Sequence, residues 1–287
     1  MTPGSSLSTT VAVVGITSQV APALVNHLRH AGYRIIGFSR SGQAFGDIAV
    51  HRFDCTPSHL EGRVETLVNL TPLPLIDEVL QLAQRLGATR LIAFGSTGIF
   101  SKAASSSALE REFVASQLDA EARLQCGAEE RGINWTLFRP TMIYGAGTDQ
   151  NVTFIQNTVR RFGFFPLPFG RSGLRQPVHV DDLARACVQA IDNLSTYDRA
   201  YNLAGGEVLT YREMVSRIFR SRRMRTLLLP IPAPLFRLLV KLASRLPGLA
   251  YLRPEMVDRM RDDLVADNTD AARDFGYSPR GFEPPPA

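Results

Sequence analysis

An α/β fold with a doubly wound parallel sheet and a smaller, mainly helical C-terminal lobe is predicted by three features of the sequence. Short β-branched runs alternate with helical periodicity over residues 9–140, a glycine turn joins the first run to the first helix, and the texture changes beyond Gly163, where aromatics and prolines crowd together. The 287 residues, 45% hydrophobic and 21% charged, suffice to bury one large core or two modest ones. The same composition excludes disorder, collagen-like repeats and coiled coils.

Residues 9–14 read as a buried strand, and the apolar positions of 23–28 recur at helical spacing up to Gly32. Further strands are expected at 33–38, at 50–53 before Asp54, and at 64–70. A helix over 75–86 stops at Gly87, a strand covers 90–94, a long amphipathic helix runs over 108–130, and a sixth strand at 136–138 closes on Arg139-Pro140. Strands separated by helices need crossover connections, hence a parallel sheet. After a loop-rich run from Phe164 to Phe169, the chain is expected to return to the sheet through Val178-His179-Val180, a helix over 182–191 and a strand over 200–203. The remainder, from about Glu207, reads as helical and proline-broken. These boundaries divide the chain into a sheet domain over 8–165, rejoined at about 176–206, and a second lobe made of 166–175 and 207–287.

Bases number 32 against 27 acids, a net charge of +5, and only Lys102 and Lys241 are lysines, so arginine is the default cation. The excess is too small and too dispersed for a duplex-DNA binder, and no nucleic-acid partner is expected. Cys55, Cys126 and Cys187 are odd in number and far apart, which forms neither a disulfide framework nor a paired metal spacing. A reducing, cytoplasmic setting follows, with no secretory signal and no transmembrane segment. The most apolar stretch, 226–252, is interrupted by Pro230, Pro232, Pro234, Arg237, Lys241, Arg245 and Pro247. It reads as an amphipathic helix behind a proline-rich loop, a cap over a cleft in preference to a membrane attachment.

The first turn runs Val14-Gly15-Ile16-Thr17-Ser18-Gln19-Val20-Ala21-Pro22. A dinucleotide-binding turn needs one glycine for the bend, a second for close approach to the pyrophosphate, and a small residue where helix and strand pack. Gly15, Ser18 and Ala21 hold those places, and Pro22 suits a first helical turn. Ser18 is the departure, since its side chain projects toward the pyrophosphate position, although its hydroxyl can donate to phosphate oxygen. At the end of the second strand, an acid would bond the ribose 2′-hydroxyl of NAD. Ser39-Arg40 stands there instead, which suits the 2′-phosphate of NADP. NADP is therefore favoured, with NAD as the other candidate.

Together with Phe94-Gly95-Ser96-Thr97-Gly98-Ile99-Phe100, Phe138-Arg139-Pro140-Thr141-Met142-Ile143-Tyr144-Gly145, Val178-His179-Val180-Asp181-Asp182-Leu183-Ala184 and Tyr201-Asn202-Leu203-Ala204-Gly205-Gly206, this turn resembles the extended, or atypical, short-chain dehydrogenase/reductases of the NAD-dependent epimerase/dehydratase family. That group contains the nucleotide-sugar epimerases. The resemblance covers nearly the whole chain and implies a Rossmann domain with a C-terminal substrate lobe. It further implies cofactor contacts from Gly15, Thr17, Ser18, Gln19, Val20, Ser39 and Arg40, with Asp54 near the adenine and Leu70 and Thr71 beside the cofactor.

The family's chemistry uses a Tyr-x-x-x-Lys helix, in which the phenol handles the proton and the ammonium lowers its pKa. The corresponding segment here is Phe113-Val114-Ala115-Ser116-Gln117-Leu118-Asp119-Ala120-Glu121, so Phe113 takes the tyrosine place and Gln117 the lysine place. None of the seven tyrosines is followed by lysine four residues on. Ser96 occupies the catalytic serine or threonine place, with Thr97 its neighbour, but a hydroxyl without a base is a weak nucleophile. Thr97-Gly98 replaces the acidic pair expected of a dehydratase. Replacement acids or bases are sought in Glu110, Glu112, Lys102 and Tyr144. His179 reads as structural, and His27 with His30 lacks a third ligand, so no metal is expected.

On the substrate side the resemblance points to Arg175, four residues before His179, as the group that grips a substrate diphosphate, with Tyr144 and Asn151 nearby. Arg171 and Arg253 could add charge. The run from Phe164 to Phe169 would make an apolar wall, which suits a hydrophobic acceptor as well as a sugar. Two readings stand: an NADP-dependent enzyme acting on a nucleotide sugar or comparable small molecule through a substituted relay, or a dinucleotide-binding protein without turnover. A non-redox enzyme reusing the pocket is a third. A homodimer is compatible with each.

Overall fold

The computed structural model describes residues 9–54, 63–149, 151–245 and 253–284. In chain order the elements are β1 (Thr10–Val14), α1 (Ala21–His30), β2 (Arg34–Ser39), β3 (Val50–Arg52), β4 (Val64–Asn69), α2 (Ile76–Leu86), β5 (Arg90–Phe94), α3 (Gly98–Ser101), α4 (Ala108–Glu129) and β6 (Asn134–Pro140). They continue with β7 (Ile143–Tyr144), α5 (Val152–Phe162), β8 (Phe165–Pro168), β9 (Leu174–Arg175), β10 (Val178–His179), α6 (Val180–Ile191) and β11 (Arg199–Leu203). The last are β12 (Leu209–Thr210), α7 (Tyr211–Ser221), β13 (Leu228–Ile231), α8 (Ala233–Ala243), α9 (Glu255–Arg259) and α10 (Thr269–Phe275).

Seven parallel strands form one sheet in the order β11-β6-β5-β4-β1-β2-β3. β1 is buried along its whole length, as its unbroken Thr-Val-Ala-Val-Val run requires of a strand covered on both faces. Leu24, Val25 and Leu28 of α1 pack on one face with Leu183 and Ala186 of α6. Val79, Leu80 and Ala83 of α2 pack on the other with Leu124 and Ala128 of α4. Because β1 lies between β2 and β4, the winding reverses at its C-terminal end, and this opens a crevice there. Helix α2 ends where the sequence places its stop: Gly87 adopts φ +70° and Ala88 N–H bonds back to the Ala83 carbonyl.

Two expectations for later segments are corrected. Val178–His179 does not rejoin the main sheet but pairs with β7 in a separate two-stranded ribbon, and β11 alone returns to the sheet edge beside β6. The stretch before α8, expected as a loop, contains β13, which runs parallel to β8 with Leu229 opposite Pro166 and Pro230 opposite Leu167. A two-stranded ribbon tolerates these prolines because each strand keeps a free edge on which a missing N–H costs nothing. A third core gathers α5, α7 and β8 around Ile155, Val159, Phe165, Met214 and Phe219. Phe275 and Tyr277, at the end of the chain, pack instead into the α1–α6 side of the sheet.

Candidate dinucleotide and substrate site

Gly15 leaves β1 at φ +77°, and its N–H bonds to the Phe38 carbonyl at the end of β2, 2.9 Å away. A Cβ at this position would stand 3.0 Å from the Leu70 carbonyl carbon and from Thr71, so the turn is closed to any larger residue. Ser18 N–H bonds to the Gly15 carbonyl at 2.9 Å, Val20 is the residue at the cap of α1, and Ala21 is fully buried against the sheet. No acidic residue occupies the first turn of α1. Its free N–H groups and dipole are therefore available to an anion.

Two buried polar atoms at this turn have no partner, Ser18 Oγ and Gln19 Oε1, and Asn69 Nδ2 at the end of β4 is a third. Native interiors rarely leave such groups unpaired, so a polar ligand in the crevice is the fitting explanation. Asn69 otherwise holds the neighbouring loop, its Oδ1 accepting from Thr71 N–H at 3.0 Å and Thr71 Oγ1 at 2.6 Å. Ser39 Oγ accepts from Gly42 N–H, and Arg40 beyond it is exposed. Asp54 is gripped by Arg52 through two hydrogen bonds of 3.0 and 2.6 Å. Thr17 is exposed, and Leu70 N–H is tied to the Val14 carbonyl. Gly15, Ser18, Gln19, Asn69, Leu70 and Thr71 gather where β1 and β4 end, and the turn, helix end and orphaned polar atoms there have the chemistry to hold a dinucleotide.

Further along the strand ends, Ser96, Lys102 and Phe113 surround Gly98. A Cβ there would lie 3.0 Å from Ser96 Oγ, 3.2 Å from Phe113 Cε1 and 3.6 Å from Lys102 Cε. Thr97 Oγ1 donates to the Pro140 carbonyl and Ser96 Oγ accepts from Gly98 N–H, so both hydroxyls already serve the strand-end turn. Phe113 and Gln117 lie one turn apart on α4, and Gln117 is buried. One turn later Glu121 makes a two-pronged ion pair with Arg139 of β6, at 2.8 and 2.5 Å, which fixes α4 over the sheet. Lys102 caps the short helix α3, and its Nζ stands 4.0 Å from the centroid of the Phe113 ring. Burial, with the nearby Arg259 charge, pushes its pKa down to about 8. Glu110 is ion-paired with Arg259, and Glu112 is exposed.

The substrate-side residues separate. Arg175 is buried, but its two terminal nitrogens are committed to the carbonyls of Leu174, Asp262 and Arg259, and Tyr211 lies under its guanidinium at 4.9 Å. A two-pronged grip on a diphosphate is not what this geometry supports; only Nε is without a partner. Arg171 pairs with Asp263, and Arg253 is exposed. Tyr144 is fully buried, edge-on to His179 and Phe282, with its hydroxyl bonded to the backbone at Gly281 and Glu283. His179 caps α6 by accepting from Asp181 N–H and fills the space beside Gly145, as its structural reading anticipates. His27 meets Asp181 at 2.7 Å, a partner 154 residues away that no local spacing announces. Cys187 is buried, Cys126 is exposed, and Cys55 lies outside the described residues.

Asn151 lines two adjoining hollows. One, with Gln19, Thr141 and Met142, leads away from the glycine turn. The other is a cavity of about 470 Å³ in the second lobe, walled by Phe154, Phe165, Ile231, Phe236, Val240 and Met260 among others. Met142 and Asn151 line both. Phe164, Phe165 and Pro166 supply the expected apolar wall, while Phe169 points to solvent. The cap over a cleft expected for 226–252 has its counterpart in α8, which lines this cavity.

Comparison with known proteins places this geometry. The family model described as the NAD dependent epimerase/dehydratase family matches residues 73–204. A UDP-glucose 4-epimerase of Vibrio cholerae is 25% identical over 172 residues, 59% of this chain and 49% of that protein. A mitochondrial NADH dehydrogenase [ubiquinone] 1 alpha subcomplex subunit 9 of Arabidopsis thaliana is 29% identical over 171 residues, 55% of this chain and 42% of that protein. The matches thus span about half or less of these curated relatives. Among solved structures, the UDP-glucose 4-epimerase of Thermotoga maritima with UDP-glucose superposes with a TM-score of 0.66 at 16% identity, covering 94% of this chain and 93% of that one. MoeE5 in complex with UDP-glucose and NAD gives 0.67 at 16% identity, covering 95% and 94%. At such identities these likenesses concern the fold. The sheet order agrees with the fold of these structures, and the segment 73–204 resembles the NAD-dependent epimerase/dehydratase family.

Proposed function

We propose that the protein binds NADP(H) in the crevice at the ends of β1, β2 and β4, and a small molecule with an apolar body in the adjoining cavity. In this reading the family's standard proton relay is lost. The observation that carries it is the pairing of Phe113 with Lys102 beside a buried Gln117: the helix positions that would hold phenol and ammonium hold neither. Gly15, Ser18, Gln19 and the α1 N-terminus would hold the pyrophosphate, Ser39 and Arg40 the 2′-phosphate, and Asp54, Leu70 and Thr71 the adenine side and neighbouring groups. When bound, the cofactor supplies or accepts a hydride. What the chain itself supplies nearby is two hydroxyls, Ser96 and Thr97, engaged in backbone hydrogen bonds, and the ammonium of Lys102, its pKa lowered to about 8 by burial.

A phenyl ring and a carboxamide cannot exchange the proton that accompanies hydride transfer, so binding without fast turnover is the expected behaviour. The apolar walls favour a hydrophobic substrate over a nucleotide sugar, since the arginine expected on the diphosphate is spent on carbonyls. Calorimetric titration with NADPH, followed by a turnover assay with UDP-glucose and with hydrophobic ketones, tests the reading. Saturable NADPH binding with turnover absent or slow supports it. Absence of dinucleotide binding, or rapid epimerisation of UDP-glucose, overturns it.

A further inference from the structure

Helix α8 is apolar on more than the face it buries. Phe236, Leu239, Val240 and Ala243, at spacings of three, four and seven, line the cavity. Leu235, Leu238 and Leu242 continue the apolar arc outward and are 49%, 52% and 48% exposed. Leu229 of β13 and Leu239 line the cavity and are also 47% and 44% exposed, which puts the cavity mouth between β13 and α8. Leu227, just before β13, extends the exposed patch. Isolated surface leucines are ordinary, but a continuous set around a cavity mouth is not.

From Arg220 to Arg245 every charged residue in the sequence is a cation, and Asp258 of α9, set against α8, is taken up by Arg237. Arg220, Arg222, Arg223 and Arg225 lead into β13, and Lys241 and Arg245 lie on α8 and just beyond it. None of the six forms an ion pair among the described residues, whereas Arg237 on the same helix is held by Asp258. A second copy of the chain, docking through the same patch, would bring six further cations against these. An anionic bilayer instead offers acyl chains to the leucines and phosphate headgroups to the cations.

We propose that α8, with the adjoining 220–229 segment, docks on an anionic lipid bilayer, the outer leucines entering the headgroup–acyl boundary so that the cavity mouth faces the bilayer. The cavity is then filled from the membrane, by a molecule whose apolar part already resides there. No helix of the described residues is long and apolar enough to cross a membrane, so the contact is interfacial. The docking does not depend on the dinucleotide reading, and its test uses no cofactor.

The experiment is co-sedimentation of the full chain with vesicles of phosphatidylcholine alone or mixed equally with phosphatidylglycerol, at low and high salt. The expected result is partitioning onto the mixed vesicles at least about tenfold above that on phosphatidylcholine, weakened by salt. Leu238→Glu with Leu242→Glu, at exposed positions, should cut partitioning about tenfold or more while thermal melting stays unchanged, and Arg225→Glu with Lys241→Glu should do likewise. Failure of the wild-type chain to sediment with the mixed vesicles overturns the proposal. Binding that the leucine substitutions leave intact also overturns it, because charge alone would then account for the contact. So does a dimer, seen by light scattering, that the leucine substitutions convert to monomer without any vesicle binding.

Discussion

The ammonium of Lys102 lies 4.0 Å from the centroid of the Phe113 ring, so a cation occupies the face of that ring. The contact is a cation–π geometry, and it is formed by a residue outside the helix on which the relay is normally built. Gln117, one turn on from Phe113 on α4, is buried and uncharged. Lys102 reaches the same neighbourhood from α3 on a different stretch of chain.

Lys102 should therefore titrate anomalously. Its pKa is lowered to about 8 mainly by burial, with Arg259 adding repulsion. Competitive acetylation with mass-spectrometric readout is direct here, because exposed Lys241 is the only other lysine and serves as internal reference. The expected reactivity midpoint for Lys102 is about 8. The sign for stability follows: the unfolded chain binds more protons than the folded one between the lowered and the ordinary pKa, so this group's contribution to stability rises with pH across that window. Equal midpoints for the two lysines would refute the environment described.

Cofactor choice is tested at Arg40. The residue is exposed at the end of β2, and on the proposed reading it would meet the 2′-phosphate together with Ser39, whose Oγ accepts from Gly42 N–H and can still donate its own hydrogen. NADPH should bind about tenfold or more tightly than NADH, and Arg40→Ala should remove most of that gap. Equal calorimetric affinities in the unaltered protein would return the assignment to NAD.

The Glu121–Arg139 pair sets the position of α4. Glu121 is almost wholly buried and Arg139 nearly so, so removing one partner strands the other. Glu121→Ala should lower unfolding stability by about 3 kcal/mol in urea titration. Replacing both by Met should cost less than the single change, because no charge is then left behind. A double variant as damaged as the single one would show that packing, not charge, decides.

Much of the sheet was legible because its signals are local. An unbroken apolar run makes a buried parallel strand, helical spacing and a left-handed glycine end α2, and the Gly15 turn is written in consecutive residues. What stayed hidden depends on contacts between distant segments. Arg175 looks like a diphosphate ligand by its position before His179, yet carbonyls 84 and 87 residues further on claim its terminal nitrogens. Val178–His179 resembles a sheet strand by composition, but β11 takes the edge position beside β6. Prolines at 166, 168 and 230 read as loop, although each can sit on a ribbon with a free edge.

The last prediction concerns the relay itself. General acid–base assistance contributes about a hundredfold to ten-thousandfold, and on the proposed reading Phe113 and Gln117 stand where a phenol and an ammonium would provide it. Phe113→Tyr with Gln117→Lys restores both groups on one face of α4, one turn apart, where Glu121 already anchors the helix to β6. A phenol at 113 would also stand near Lys102, whose charge favours phenolate. The double variant should raise NADPH oxidation with an acceptable carbonyl substrate by about a hundredfold over the unaltered chain, and Phe113→Tyr alone by less. Because Gln117 is buried, the new ammonium must find the phenol or a bound ribose as partner, and melting temperature should recover on addition of NADPH if it does. Fast turnover in the unaltered protein, indifferent to replacement of Phe113 or Gln117, would show that another group handles the proton. Loss of that activity in Lys102→Met would then identify it.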